Sequence, residues 1–349
     1  MILISRLVAA VVALLRPLVP IRRTGDDVVI LHQLLVGDGI LIIPLLDAMR
    51  HRTSVSVACP GSLIDLYRML FPAFSYHAFS EKRPLSVLSF LWRHRGASLV
   101  VCPIERRLHR YAFATGAQRI IGFGTNNGNA CGLSLSDLPS EQMTFSDMMA
   151  HLVGLRTPFV PLDNFGSKEL RCILHTDARN PNRRWTLRHW KGLAELLRTH
   201  GFKIIWCNGP EGTSPIGSLI LREDYTLIPK GLTNYLDEIQ KASLLICPDT
   251  GIAHLAKLTR TPTAVIYGQG NPGIHGNGFY WKHAKTINIF NGNVYCRDKN
   301  TLMGIPVKWL NRCDKTPIQC KEPWCQNGLD VIEVFDQLQR GFPLLFSEH

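Results

Sequence analysis

Two stretches of this chain repeat one pattern, in which short apolar runs alternate with amphipathic segments of helical period. In the first stretch, strands are predicted at 28–32, 54–58 and 98–102, and helices at about 40–50, 63–70 and 85–93. In the second stretch, strands are predicted at 171–175, 203–207, 225–229, 244–247 and 263–267, and helices at 187–199, about 235–241 and 252–258. Alternating strands and helices build parallel sheets that helices cover on both faces. The pattern therefore predicts an α/β fold of two Rossmann-like domains that face each other across a cleft.

The length of 349 residues agrees with two domains, because a single core rarely grows beyond about 250–300 residues. The segment 156–164 contains two prolines and has the composition of a linker. We therefore expect an N-terminal domain at 25–160 and a C-terminal domain at 166–349, which ends in a helix at about 330–340.

Residues 1–24 form an apolar and basic extension ahead of the first predicted strand. The apolar run 7–15 lies between Arg6 and Arg16, and it is too short to span a bilayer, which takes about 20 residues. A secretory signal fits poorly, because Arg16 and Pro17 stand where a small-residue cleavage site is expected. Two interpretations stay open, a helix that lies in the membrane interface and a helix that packs on its own domain.

The charge balance favours an anionic partner. The chain has 39 Lys and Arg against 27 Asp and Glu, a net charge of +12. These basic residues are scattered and no recognition signature accompanies them, so nucleic-acid binding is not expected. A P-loop motif is absent from the sequence, and no Gly-x-Gly-x-x-Gly follows the first strand, which disfavours a dinucleotide-dependent dehydrogenase.

Four of the ten cysteines cluster near the C-terminus, namely Cys296, Cys313, Cys320 and Cys325. Their spacing is irregular and contains no Cys-x-x-Cys. We expect reduced thiols and no metal, while a metal site or a disulfide pair stays open as the alternative.

The segment 248–254 reads Pro-Asp-Thr-Gly-Ile-Ala-His and joins a predicted buried strand to a helix. It places the carboxylate of Asp249, the hydroxyl of Thr250 and Gly251 on a strand-to-helix turn, with His254 in the first helical turn. Helix N-termini and the carboxyl ends of parallel strands both favour phosphate groups. The turn therefore predicts a site for a phosphate-bearing ligand such as a nucleotide. For His254, an ordinary packing role stays open.

A second carboxylate, Asp38, follows the first strand and lies between Gly37 and Gly39. The backbone conformational freedom of these glycines allows a tight turn. At the mouth of the N-terminal domain it could accept a proton from an attacking hydroxyl, or it could cap the following helix. Arg183 and Arg184 precede another helix, for which Thr186 is the expected N-cap. Both guanidinium groups could bridge a diphosphate, or they could simply be solvated.

Four elements occur in one order and together resemble a known family. They are Gly37-Asp38 before a helix with an early proline, Arg183-Arg184-Trp185, Pro248-Asp249-Thr250-Gly251-x-x-His254 and Tyr267-Gly268-x-x-x-Pro272-Gly273. Over about residues 28–290 they resemble the lipopolysaccharide heptosyltransferases, glycosyltransferase family 9. The resemblance implies a GT-B fold whose N-terminal domain binds the acceptor and whose C-terminal domain binds the nucleotide sugar. It implies the inverting transfer of a heptose from ADP-heptose to the lipopolysaccharide core, with no cofactor and no essential metal.

The resemblance also implies roles for individual residues. Asp38 becomes the general base on the acceptor hydroxyl. The donor site is formed by Arg183, Asp249, Thr250, Gly251, His254 and Gly268. Apart from the resemblance, the excess of positive charge fits an acceptor that carries lipid A phosphates at the cytoplasmic face of the inner membrane, and Arg106, Arg107 and Arg110 are the candidates for binding those phosphates.

Two departures from the family are visible. Arg183 stands where the family commonly has lysine, and the compact members lack an extension like residues 1–24. A transferase that uses another nucleotide sugar, and a binding protein without turnover, therefore stay open as alternatives. The glycine-rich loop 267–278 follows the next strand, and its amides could reach the same ligand, or it could be a flexible loop.

Overall fold

A computed structural model describes residues 2–15, 27–103, 106–124, 133–166, 169–207, 217, 219–292, 294–302 and 305–347. The chain divides into two compact units. The N-terminal unit comprises Met1–Glu141, Phe145–Arg156 and Thr301–Lys308, and the C-terminal unit comprises Gln142–Thr144, Thr157–Asn300 and Trp309–His349. The segment Thr301–Lys308, which the sequence places in the C-terminal domain, thus belongs to the N-terminal unit.

The N-terminal unit contains a parallel sheet of six strands in the order β3-β2-β1-β4-β5-β6. The strands are β1 (Val28–Leu31), β2 (Val55–Cys59), β3 (Ser75–Ala78), β4 (Leu99–Val101), β5 (Arg119–Phe123) and β6 (Leu133–Ser136). The helices are α1 (Ile2–Leu15), α2 (Val36–Leu41), α3 (Ile43–Ala48), α4 (Gly61–Leu70), α5 (Pro84–Arg93), α6 (Arg106–Ala114) and α7 (Phe145–Leu152). Every residue of β1 is buried, as expected for a parallel strand covered on both faces.

The N-terminal apolar segment forms α1, which packs against α5 and α6 through a face that includes the buried Ser5 and Ala9. The helix thus packs on its own unit, and the interpretation that it also lies in the membrane interface stays a prediction. Among the helices in the described ranges, none is long and apolar enough to cross a membrane.

The helix predicted at about 40–50 is two short helices, and it begins earlier than predicted. The helix α2 already starts at Val36, and the chain breaks at Ile42 before α3. The cause is Pro44, at the second position of α3, because proline has no N–H and clashes with the carbonyl of the preceding turn.

The C-terminal unit has a second parallel six-stranded sheet, in the order β12-β11-β10-β7-β8-β9. Its strands are β7 (Arg171–His175), β8 (Lys203–Cys207), β9 (Tyr225–Leu227), β10 (Leu244–Pro248), β11 (Thr263–Tyr267) and β12 (Thr286–Phe290). Its helices are α8 (Leu187–Thr199), α9 (Leu232–Lys241), α10 (Gly251–Ala256), α11 (Pro272–His275), α12 (Trp324–Asn327) and α13 (Val331–Gly341). Short 3₁₀ turns lie at Pro181–Arg183 and Pro343–Leu345, and β13 (Thr301–Leu302) pairs with β14 (Ile305–Pro306) in a small hairpin assigned with the N-terminal unit.

The core of the C-terminal unit is rich in aromatic side chains, and Trp190 and Trp206 are fully buried in it. The last helix, α13, packs against α8 and β12 within this unit.

Both sheets have the same strand order. Numbered within its own unit, each reads 3-2-1-4-5-6, the order of a Rossmann fold. The order reverses between the first and fourth strands, β1 and β4 in one sheet and β7 and β10 in the other. In open α/β sheets, ligands bind outside the carboxyl ends of the strands at this point. The topology therefore predicts that ligand-binding residues follow β1, β7 and β10.

Candidate functional site

The segment after β10 holds a buried carboxylate that faces two nitrogen groups. The Asp249 side chain is almost fully buried. Nη1 of Arg183 lies 3.7 Å from its Oδ2 and donates a hydrogen bond to its backbone oxygen at 3.1 Å. Nδ1 of His275 lies 3.6 Å from the same Oδ2, which is too far for a hydrogen bond. Arg183 follows β7 and Asp249 follows β10, so the cluster lies where the strand order reverses.

The surroundings keep Asp249 ionised. Burial alone would raise the pKa of this carboxyl, but the charges of His275 and Arg183 outweigh burial and hold its pKa below the ordinary value. An ionised carboxylate accepts hydrogen bonds and donates none. Asp249 can therefore receive hydroxyl groups of a ligand at neutral pH.

His254, on α10, is buried beside this cluster. Burial, reinforced by the nearby charge of Lys257, lowers its pKa well below the ordinary value, so the ring is neutral. The rings of His254 and His275 meet edge to face with their centroids 5.8 Å apart. The structure thus brings His254 to the predicted site, as a neutral group.

Thr250 holds the N-cap position of α10, yet its hydroxyl makes no capping hydrogen bond. The first amides of a helix lack intrahelical partners, so this end of α10 carries spare donors. Buried polar atoms that have no hydrogen-bond partner within the described residues gather here, namely Arg183 Nε, Asp249 Oδ2, Thr250 Oγ1, His254 Nδ1 and His275 Nδ1. Since folded proteins satisfy most buried polar atoms, this concentration indicates a polar ligand site.

Arg183 is positioned by the 3₁₀ turn Pro181–Arg183. Asn180 caps that turn by accepting from the backbone N–H of Asn182, and its Nδ2 donates to Oε1 of Gln269 at 2.7 Å. Arg184 is held elsewhere, since its Nε lies 3.0 Å from Asp177 and donates to the backbone oxygen of Ala178. The two arginines, taken together in the sequence, are thus separated, and only Arg183 reaches Asp249. Thr186 is the N-cap of α8, as predicted, and accepts from the backbone N–H of His189.

The glycine-rich loop after β11 is packed against the site rather than free. A Cβ at Gly270 would overlap the Asp249 carboxylate, and a Cβ at Gly268 would overlap the Gln326 side chain. The Gly268 carbonyl accepts a hydrogen bond of 2.8 Å from Arg297. These glycines therefore allow a close approach of backbone to side chain, which no larger residue permits.

His275 and Lys257 are site residues that the sequence interpretation did not single out. The buried Lys257 ammonium donates to the backbone oxygens of His275 and Gly276, at 2.5 and 2.8 Å. The strands β10 and β11 are paired neighbours, so the loops at their carboxyl ends meet. Since His275 lies in the loop after β11, its place in the sequence could have indicated that it lies near the segment after β10.

In the N-terminal unit, Asp38 lies in the first turn of α2 and is exposed. The N-cap of α2 is Leu35, so the alternative that Asp38 caps this helix is wrong. Asp38 follows β1, at the reversal point of the first sheet. A carboxylate in a first helical turn is favoured by the helix dipole.

Buried side chains support the backbone that carries Asp38. The Tyr67 hydroxyl donates to the Gly39 carbonyl at 2.7 Å and lies 3.3 Å from Nε2 of His32. Burial lowers the pKa of His32 to about 3, which keeps this ring neutral. A Cβ at Gly39 would overlap Leu63, so Gly39 serves close packing rather than a tight turn.

The predicted acceptor residues lie on α6. Arg110 is exposed there, while the side chains of Arg106 and Arg107 lie outside the described residues. No group of three or more His, Cys, Asp or Glu in the described ranges could hold a metal ion. Cys296, Cys313, Cys320 and Cys325 are free thiols.

A family match covers part of the chain. Residues 137–304 match the sequence profile of glycosyltransferase family 9, described as heptosyltransferase. A comparison with curated proteins gives no match.

Several solved structures have a similar fold. A glycosyltransferase family 9 protein from Veillonella parvula is 15% identical, with 93% of this chain and 98% of that chain covered and a TM-score of 0.68. The ADP-heptose LPS heptosyltransferase II of E. coli is 14% identical, with 91% and 99% covered and a TM-score of 0.67. E. coli heptosyltransferase WaaC with ADP-2-deoxy-2-fluoro heptose is 15% identical, with 90% and 99% covered and a TM-score of 0.61. The predicted GT-B fold and the resemblance to family 9 are confirmed, and with them the prediction of a glycosyltransferase.

Proposed function

We propose that this chain, which matches glycosyltransferase family 9 over residues 137–304, transfers a heptose from ADP-heptose to the lipopolysaccharide core on a lipid A-linked acceptor. The observation that carries this proposal is the cluster around Asp249, where unpartnered polar atoms gather at the reversal point of the C-terminal sheet. Two structures of one similar protein, E. coli heptosyltransferase WaaC, are described with ADP and with an ADP-heptose analogue, which supports an adenosine diphosphate donor.

The C-terminal domain, 166–349, is the donor half in this proposal. The Arg183 guanidinium, which contacts Asp249, and the Thr250 hydroxyl and the amides from Gly251 onward at the start of α10 would hold the diphosphate, since all are hydrogen-bond donors. The carboxylate of Asp249 would accept sugar or ribose hydroxyls. His254 and the backbone of Gly268 would complete the walls of this site.

The N-terminal domain, 25–160, is the acceptor half. The acceptor oxygen attacks the anomeric carbon from the side opposite the diphosphate, so the new C–O bond forms as the old one breaks and the configuration inverts. Asp38 takes the proton of the acceptor hydroxyl, and the leaving diphosphate keeps the electron pair. General-base assistance is worth roughly 10²–10⁴-fold in rate, and preorganised donors at the leaving group typically contribute more.

The acceptor and the place of action belong to the same proposal. A lipid A-core acceptor carries phosphates, and the excess of basic residues, including Arg106, Arg107 and Arg110, suits such a partner. The protein would then work at the cytoplasmic face of the inner membrane. No nucleic-acid partner is part of the proposal.

The donor is tested by thermal shift of the full chain with ADP, UDP, GDP and their sugar conjugates. We expect ADP and ADP-heptose to raise the melting temperature most, because a ligand that binds only the folded state stabilises it. Arg183→Ala should abolish most of this shift, whereas its neighbour Arg184→Ala, which removes the same charge, should keep it.

Two outcomes would redirect the proposal. A preference for UDP or GDP would remove the heptosyl donor and leave a transferase that uses another nucleotide sugar. Binding of ADP-heptose without release of ADP in the presence of a core acceptor would indicate a binding protein that lacks turnover.

A further inference from the structure

The helix α1 buries one face in the N-terminal unit and presents apolar side chains on the other. Ser5 and Ala9 are buried, and Ala9 belongs to the core that α1 shares with α5. On the outward side, large apolar side chains are exposed by 45 to 78%, namely Leu3, Ile4, Leu7 and Val11. An exposed apolar stripe on a packed helix lowers solubility and normally marks a contact surface.

The helix α5, which packs against α1, repeats this arrangement. Its buried face consists of Val87, Phe90 and Leu91. Its outward face exposes Leu85 by 80%, Leu88 by 44% and Trp92 by 73%. Leu85, Leu88 and Trp92 line a shallow depression on this face.

The two sequence segments that carry these outward faces are basic. Residues 1–25 and 82–104 contain no Asp or Glu, while they contain Arg6, Lys82, Arg83, Arg93 and Arg95 among their basic residues. Lys82, Arg83 and Arg93 are exposed, and the Arg95 guanidinium lies 5.5 Å from the Trp92 ring centroid. Apolar side chains with an exposed tryptophan and surrounding arginines complement the boundary between acyl chains and anionic headgroups.

We propose that the outward faces of α1 and α5 form a membrane-docking surface for an anionic bilayer. The leucines and Trp92 enter the boundary between headgroups and acyl chains, and the arginines and Lys82 bind lipid phosphates. This surface specifies which part of the protein would bind the membrane at the location given under the proposed function. It includes α5 as well as the N-terminal extension. It rests on exposure and charge in the N-terminal unit and does not require that the donor or the acceptor be correct.

The test is flotation of the full chain with lipid vesicles. Vesicles of phosphatidylethanolamine and phosphatidylglycerol should carry the protein, and vesicles of phosphatidylcholine alone should carry much less. Leu85→Glu and Trp92→Ala should each lower the partition coefficient about tenfold, because each removes apolar contact from the bilayer. Added salt should weaken the remaining attraction between arginines and lipid phosphates.

Matched controls exist in the C-terminal unit. Leu344 is exposed by 85% and Trp324 by 72%, so Leu344→Glu and Trp324→Ala make the same changes at similar exposure. These variants should bind vesicles as the unchanged protein does. Because Leu85 and Trp92 are exposed, their variants should keep the circular dichroism spectrum and melting temperature of the parent.

Two results would overturn the docking surface. One is unchanged flotation of both Leu85→Glu and Trp92→Ala. The other is a self-associated protein that Leu85→Glu converts to monomers while vesicles are not bound, which would make the face an interface between copies. Transfer to a water-soluble core saccharide without lipid separates this test from the proposed function, since Leu85→Glu should leave that transfer unchanged.

Discussion

Asp38 and Asp249, the two carboxylates that the proposed transfer requires, have opposite surroundings. Asp38 is exposed in the first turn of α2, where a substrate hydroxyl can reach it. Asp249 is buried next to Arg183 and His275 and stays ionised. An exposed carboxylate suits proton transfer with a substrate, and a buried ionised one suits fixed recognition of hydroxyl groups.

For Asp38 we expect a large loss of turnover in the Asp38→Asn variant, on the order of 10²–10⁴-fold, because an amide cannot accept the proton. Stabilisation by ADP should stay unchanged, since Asp38 belongs to the acceptor half. The measurements are ADP release in steady state and the thermal shift. Asp65→Asn, an exposed aspartate on α4, is the matched control. Normal turnover in Asp38→Asn would exclude Asp38 as the base.

For Asp249 we expect a pH-dependent contribution to stability. Its folded pKa is lowered, so the contribution is complete above the unfolded value of about 3.9 and is lost as the pH falls through the folded value. The melting temperature of the unchanged protein should therefore exceed that of Asp249→Asn most near neutral pH. The gap should narrow below about pH 4. Asp237→Asn, at an exposed position of α9, controls for the lost charge. A gap that widens in acid would contradict the assignment.

At the level of elements, the glycines of the loop after β11 allow this loop to pack closely against Asp249 in the proposed donor site. In Gly270→Ala the new methyl group would overlap the Asp249 carboxylate, so either the loop or Asp249 must move. We expect this variant to lose most of the stabilisation by ADP. Gly292→Ala, whose Cβ would meet no atom within 4 Å, should keep it. Equal thermal shifts in both variants would show that the packing of this loop is not needed for nucleotide binding.

The elements predicted well from sequence are those buried on both faces. The strands β7, β8 and β11 and the helix α8 have the predicted limits, because central parallel strands are continuous apolar runs and α8 has a capping Thr186. The strands β3 and β12 were missed, since these edge strands are half exposed and their residues do not form such runs. The strands β5 and β6 were missed as well, although β5 is buried and internal, because Ile120-Ile121 is a run of only two apolar residues before Gly122. The split between α2 and α3 depends on the local effect of Pro44.

The contacts within the candidate site were also only partly predictable from the sequence. Asp249, Thr250 and His254 lie on one turn, so their proximity follows from sequence order. The contacts of Asp249 with Arg183 and His275 cross between loops, and they become visible only once the strand order is known. The pairing of Arg184 with Asp177 also depends on side-chain direction, which sequence spacing does not specify.

At the level of the whole molecule, the two units share a strand order, and the proposal gives them different tasks. We therefore expect their effects to be separable. Asp38→Asn should change turnover alone, and Arg183→Ala should mainly raise the KM for the donor. The thermal shift with ADP in the double variant should equal that in Arg183→Ala, because Asp38 makes no contact with the nucleotide in this proposal and independent effects are additive. A further loss in the double variant would show that Asp38 also contributes to nucleotide binding.

Because β10 is fully buried, we expect the backbone next to the proposed donor site to open slowly. All five of its residues are shielded from solvent, and β7 and β11 flank it on either side. Segments of this kind open only with the largest free-energy cost in a domain, so their backbone amides exchange with solvent last. Asp249 follows this strand directly. The proposed nucleotide site thus borders a strand that we expect to open slowly, and any rearrangement on binding should fall to the loops that carry Arg183 and His275.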